Sequence, residues 1–294
     1  MTLDDFISTH GLPEHYAESA RQHYLPFANW VYDRIRESDR DTFVLGINGA
    51  QGTGKSTCAD LIKEYLAAEH DVSSVVLSID DIYRTRRERH ELALTVHPLL
   101  ETRGVPGTHD VALGLQALEE LRALEPGSTM QVPRFDKSND DRLPEIEWPL
   151  VTGPVDLVIF EGWCVASQPS DPAELVQPMN SLEREEDTHA AWRNYVNERL
   201  GAEYKELFAT LDALLFLKAP NFEVVYEWRL EQEHKLRIAS GDVARAIMSD
   251  DDVARFIQLY ERITRGNFER LPDLADAVIE LDTDHSAVAT TFSG

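Results

Sequence analysis

Positive charge is scarce in this chain. The 28 Lys and Arg residues face 53 Asp and Glu, only six of the cations are lysine, and the net charge is −25. That balance excludes nucleic-acid binding through a general basic surface, since a phosphate backbone would be repelled, but it leaves room for a local basic site that takes a small anion. Cysteine is scarcer still. Cys58 and Cys164 are too few for a disulfide framework and lack metal-site spacing. No run approaches the ~18 consecutive apolar residues of a membrane span. The acidic start Met1-Thr2-Leu3-Asp4-Asp5 lacks the basic and apolar stretches of a signal peptide. The expectation is a cytoplasmic protein with a small-molecule partner and neither nucleic acid nor membrane.

What is present suits one large α/β domain: 294 residues, 43% of them apolar. Short apolar runs at Thr42–Asn48, Val72–Ile79, Val155–Phe160, Ala213–Leu217 and Ala277–Leu281 read as buried strands, with helical periodicity between them. Strands alternating with helices imply a mostly parallel five-stranded sheet flanked by helices. Residues 1–40 read as a helical N-terminal extension on a P-loop domain at 41–294. Tyr16, Ala20, Tyr24, Phe27, Val31 and Ile35 recur at helical spacing there, and Pro26 divides the segment into two short helices. Residues 127–154, rich in Pro, Gly and charge, read as loop with a short strand at Met130–Val132.

Gly49-Ala50-Gln51-Gly52-Thr53-Gly54-Lys55-Ser56, followed by Thr57, fits the P-loop pattern in full and lies between a strand and a helix. Glycines there let backbone N–H groups turn toward phosphate oxygens, and the helix N-terminus adds partial positive charge. Lys55 is the expected β,γ-phosphate ligand of ATP and Ser56 the expected Mg²⁺ ligand. Glu161, in Phe160-Glu161-Gly162 at the end of the third strand, stands where a metal-ordering carboxylate belongs.

A nucleotide site alone does not separate kinase from switch or motor. The guanine-reading N-K-x-D element of GTPases is missing, and Phe135-Asp136-Lys137-Ser138-Asn139-Asp140 holds its letters in the wrong order. The second strand ends in Ser78-Ile79-Asp80-Asp81-Ile82-Tyr83. A carboxylate there can accept the proton of an acceptor hydroxyl, with Asp80 as the expected base and Asp81 as the alternative; the pair also suits a helix cap. Arg84, Arg86, Arg87 and Arg89 read mostly as a solvated helix face, from which one could reach substrate or phosphate. The polar loop Arg103-Gly104-Val105-Pro106-Gly107-Thr108-His109-Asp110 offers Arg103 and His109 as anion or hydroxyl ligands. A structural role for His109 and a helix-capping role for Asp110 stand beside that reading. Arg134 and Lys137 of Pro133-Arg134-Phe135-Asp136-Lys137-Ser138 could grip a carboxylate or phosphate, or belong to a solvated loop. Asp81, Tyr83, Asp110 and Trp163 complete the acceptor-side candidates. Trp228-Arg229-Leu230-Glu231-Gln232-Glu233-His234-Lys235-Leu236-Arg237 suits a lid helix in which Arg229 or Arg237 reaches the nucleotide. The alternative is an amphipathic helix with Glu231–Lys235 and Glu233–Arg237 pairs.

These elements resemble the phosphoribulokinase, uridine kinase and pantothenate kinase group. The resemblance implies Asp80 as catalytic base and matches Glu161-Gly162 to the group's element after the third strand. Within the group, five segments resemble the plant-type D-glycerate 3-kinases: Arg103–Asp110, Phe135–Ser138, Phe160–Trp163, Trp228–Glu233 and Met248-Ser249-Asp250-Asp251-Asp252-Val253. That branch implies Mg-ATP-dependent phosphorylation of a hydroxyl on a small organic acid, D-glycerate first. A kinase for another acceptor, such as a nucleoside or pantothenate, and an ATP-binding regulatory protein are the alternative readings.

Overall fold

The apolar runs form a twisted sheet whose strand order decides where the site lies. The computed structural model describes residues 2–240 and 248–293. The strands are β1 (Phe43–Gly49), β2 (Ser74–Ser78), β3 (Leu157–Gly162), β4 (Ala213–Lys218), β5 (Ala277–Leu281) and β6 (Ala287–Phe292). Their order is β6-β5-β4-β1-β3-β2, parallel throughout except for the antiparallel β5–β6 pair. The sheet therefore has six strands rather than the expected five. The sixth, Ala287-Val288-Ala289-Thr290-Thr291-Phe292, is half-exposed and small-residue-rich, so it carries little apolar signal.

Alternate residues of each inner strand enter opposite cores, as the period of two requires. Val44, Val158, Phe160, Leu214 and Phe216 pack with the helix Val111–Arg122. Leu45, Ile47, Ile159, Leu215 and Leu217 pack with the helix Lys55–His70 and with Phe27 and Val31 of the helix Leu25–Glu37. Covering both faces is what a parallel sheet needs.

The N-terminal segment packs on this second face. The expected break at Pro26 is absent. Tyr16–Ser19 runs through a π-helical turn, Ala20–Tyr24, into Leu25–Glu37, with Pro26 in its first turn. Proline has no N–H to give there, and the wider turn before it accommodates the ring. The segment also meets β6: Ser19 Oγ accepts from Ala287 N–H at 3.0 Å, His23 Nδ1 lies 2.8 Å from Thr290 Oγ1, and Phe27 stacks with Phe292. Within 127–154, Thr129–Gln131 pairs with Leu150–Thr152, and Phe135–Asp136 pairs with Asp141–Arg142, so the second polar loop is the turn of a short ribbon.

Strand order brings the functional segments together. Glu161 lies in register with Ile47 of β1 on one side and Ser78 of β2 on the other. The P-loop leaves β1, Asp80 follows β2, and Glu161 closes β3, so all three meet beyond the carboxyl ends of adjacent strands.

Candidate active site

The P-loop is shaped by two glycines and one threonine. Gly52 and Gly54 have φ of 84° and 79°, a region costly for other residues. Thr53 donates from both its hydroxyl and its N–H to the Ala50 carbonyl, at 2.9 and 3.3 Å, which closes the turn. Gly54 precedes the helix Lys55–His70, and Ser56 and Thr57 lie in its first turn. Lys55 is half-buried and turns its Nζ onto the Ala50 carbonyl at 3.1 Å. Burial holds its pKa below the usual lysine value, although the Glu161 and Asp80 carboxylates oppose that shift. Gly49 and Gly52 also permit close packing: a Cβ on Gly52 would stand 2.7 Å from Trp228 Cβ.

Ser56 Oγ donates to Glu161 Oε1 at 3.1 Å. Burial raises the Glu161 pKa, outweighing Lys55 and the serine. Asp80 is held at both oxygens, by the Tyr83 hydroxyl on Oδ1 at 2.9 Å and by Lys137 Nζ on Oδ2 at 2.6 Å. Burial works against its ionisation, but Lys137, Tyr83 and His109 together hold its pKa below the usual carboxylate value. Asp81 points elsewhere. Its carboxylate accepts from Ser78 N–H at 3.2 Å, Arg134 Nη1 at 2.8 Å and Phe135 N–H at 3.4 Å. Asp81 thus caps the turn Ile79–Ile82 and ties the ribbon to β2, and Arg134 is spent on it.

The Arg103–Asp110 loop forms the adjoining wall. Tyr83 and His109 form an isolated antiparallel bridge, and their rings stack at 4.4 Å. Trp163, buried, donates Nε1 to the Gly104 carbonyl at 3.0 Å. Arg103 pairs with Asp140 and lies 5.5 Å from the Phe135 ring. Asp110 caps the helix Val111–Arg122 through Leu113 N–H at 3.2 Å, and its other oxygen takes Arg142 at 3.1 Å. Its carboxylate is therefore committed within the protein.

Two expectations change. Arg89 does not sit on a solvated face: its side chain is 1% exposed. Its guanidinium donates to the carbonyls of Arg84, Glu101 and Asp140 at 3.3, 2.7 and 2.7 Å. Glu233 pairs with Arg229 at 2.7 Å rather than with Arg237, whereas the Glu231–Lys235 pair forms at 2.6 Å. Arg237 donates instead to the Met248 carbonyl at 2.9 Å, close to Asp250. Both arginines of the helix Phe222–Ser240 thus have protein partners. Residues that sequence reasoning passed over are Tyr204, Asp140 and Arg142. Nothing local marks them, and Tyr204 shows only as an apolar-face residue of the short helix Glu203–Phe208.

The donor set fits Mg²⁺ bound with a nucleotide. Among the described residues no group of three His, Cys, Asp or Glu could cage a metal. The P-loop hydroxyl hydrogen-bonded to Glu161 is the arrangement suited to an ion that takes most of its ligands from phosphate and water. No described helix is long and apolar enough to cross a membrane.

A glycine-shaped phosphate loop, a serine–glutamate pair and a carboxylate facing them from the neighbouring strand define a P-loop phosphotransferase. Residues 44–169 match the Phosphoribulokinase / Uridine kinase family. The chain is similar to an uncharacterized kinase of Schizosaccharomyces pombe, 37% identical over 235 residues, covering 74% of this chain and 78% of that protein. It is also similar to the chloroplastic D-glycerate 3-kinase of Arabidopsis thaliana, 33% identical over 254 residues, 81% of this chain but only 52% of that protein. In fold it matches a solved D-glycerate 3-kinase from Cryptococcus neoformans var. grubii, with a TM-score of 0.76 at 24% identity, covering 92% of this chain and 99% of that one. The chain belongs to the phosphoribulokinase/uridine kinase family. It is a small-molecule kinase that transfers phosphate to an alcohol group, and kinases of this family use ATP with Mg²⁺.

Proposed function

We propose that the chain moves the γ-phosphoryl of ATP to a hydroxyl of a small organic acid, D-glycerate first. The observation that carries this reading is the Asp80 carboxylate, which takes Lys137 at 2.6 Å and whose charge acts on Lys55 of the P-loop. Lys55 and the loop amides hold the phosphates. Ser56 would hold Mg²⁺, with Glu161 ordering its shell, and the ion offsets phosphate charge. Asp80 takes the hydroxyl proton as the new O–P bond forms and the bridging O–P bond of ATP breaks, releasing ADP.

Lys137 on Asp80 Oδ2 favours the charged carboxylate and so competes with the proton that Asp80 accepts. The lysine side chain is 61% exposed, so it is free to turn onto the acceptor's carboxylate. That movement also frees Asp80 from the contact that lowers its basicity. A cation poised beside the base suits an anionic acceptor better than a neutral nucleoside, and the likeness to D-glycerate 3-kinases points the same way. Arg103 and His109 are the other acceptor-side groups, and Arg229 and Arg237 would act on the nucleotide only by leaving their present partners. The test is ADP release from Mg-ATP with and without D-glycerate. Strong stimulation is expected. If only other hydroxy acids, pantothenate or nucleosides stimulate, glycerate is wrong; ATP binding with no turnover on any acceptor would favour a regulatory protein.

A further inference from the structure

The histidine on the acceptor wall has a fixed proton, and the residue that fixes it lies outside every motif. Tyr204 is fully buried. Its hydroxyl oxygen accepts from Gly107 N–H at 2.9 Å. A phenol has one proton to give. Backbone amides only donate, so the remaining contact, His109 Nδ1 at 2.6 Å, is where that proton goes. Nδ1 is then an acceptor, and the ring carries its own proton on Nε2.

His109 is 1% exposed, and its Nε2 has no hydrogen-bond partner among the described residues. It is one of several such buried atoms among the described residues, and the one that lies beside Tyr83 and the Asp80 turn. The ring cannot turn easily to find a partner. Tyr83 stacks on one face at 4.4 Å, and Tyr204 meets it edge-on at 5.7 Å. Tyr83 is the residue whose hydroxyl touches Asp80, so His109 lies one stacked ring behind that carboxylate and feels its charge. Burial pushes the His109 pKa down to about 3, opposed by Asp80, so the ring is neutral near pH 7.

We infer that Tyr204 is a positioning residue that locks His109 as a neutral Nε2–H donor for an acceptor oxygen, a carboxylate or hydroxyl beside the one being phosphorylated. The contact with substrate rests on the proposed function; the tautomer does not. A neutral fixed donor selects for a lone pair at that position and against an N–H or a methylene. It thereby separates hydroxy acids from acceptors that place a donor there.

Long-range ¹⁵N–¹H correlation spectra of the histidine rings test the tautomer in the unmodified protein without substrate. His109 in the Nε2–H form at pH 7 is expected; the Nδ1–H form or an imidazolium overturns the inference while leaving the glycerate reading untouched. Adding D-glycerate with a non-hydrolysable ATP analogue should move the Nε2–H proton downfield. If D-glycerate is turned over yet leaves that signal still, the contact is refuted. Y204F frees Nδ1 and is expected to raise the acceptor KM about tenfold, the loss of one well-made hydrogen bond, with the ATP KM within twofold. Equal losses for both substrates, or none, overturn the positioning role.

Discussion

Replacing Lys137 with Met removes the ammonium from Asp80 and keeps the aliphatic stem. In the wild type the contact is a 2.6 Å charge-assisted hydrogen bond, opposed by the burial of Asp80 itself. Such a bond contributes about 1.5–3 kcal/mol. The Lys137 side chain is 61% exposed, so solvent screening brings the figure to the lower limit. With the ammonium gone, the Asp80 pKa should rise. The sign for stability follows from the same shift. A carboxyl held below its unfolded value adds stability above about pH 4 that fades as the pH falls. K137M loses that increment, and the two proteins converge in acid. The assay is the ¹³C shift of the Asp80 carboxyl against pH, identified by its loss in D80N, alongside the pH profile of kcat/KM for the acceptor, whose acid limb reports the base of the free enzyme. The limb should move to higher pH as the acceptor KM rises. An unmoved Asp80 titration would refute the idea that Lys137 sets its basicity, and an unmoved acceptor KM would refute the swing of Lys137 onto substrate.

Other perturbations separate chemistry from architecture. D80N should lower kcat by about 10²–10⁴, the usual contribution of a positioned base, with ATP affinity nearly unchanged; near-normal turnover would remove Asp80 from the role. R89A leaves three carbonyls without their donor in a buried site and should destabilise the fold by about 3 kcal/mol or more in denaturant titration. R89K should not recover it, because an ammonium lacks the planar fork that reaches all three. H109Q should flatten the acid loss of stability. A buried histidine with its pKa near 3 stays neutral while the unfolded chain takes up a proton below about pH 6.5, so the wild type loses about 1.36 kcal/mol per pH unit more than the variant between roughly pH 6 and 4. Parallel curves for the two proteins would show that His109 is not held neutral.

The P-loop, β1, the Asp80 turn and the β3 end were legible because each is a local pattern: a run of apolar residues, then a fixed spacing of glycine, lysine and carboxylate. Their convergence followed from strand order, which the alternation of strands and helices suggests. What escaped depends on residues far apart in sequence. Arg89 reads as solvent-facing because its partners, Glu101 and Asp140, lie 12 and 51 residues away. Asp81 reads as a second possible base until Arg134, 53 residues on, claims it. Tyr204 lies 95 residues beyond His109, on a helix with no motif of its own. The π-helical turn before Pro26 and the weakly apolar β6 lie below what periodicity resolves.

The contact of Ser19 with Ala287 spans 268 residues. During synthesis the first helices leave the ribosome long before β6 exists, and part of their apolar face, including the side of Phe27 that meets Phe292, has no partner until β6 is made. Closing so long a loop is entropically slow. The last step of folding should then be the seating of β6 against the N-terminal helices. Until that step the nascent kinase leaves part of the apolar face of those helices uncovered, the state in which a large α/β chain most needs a chaperone.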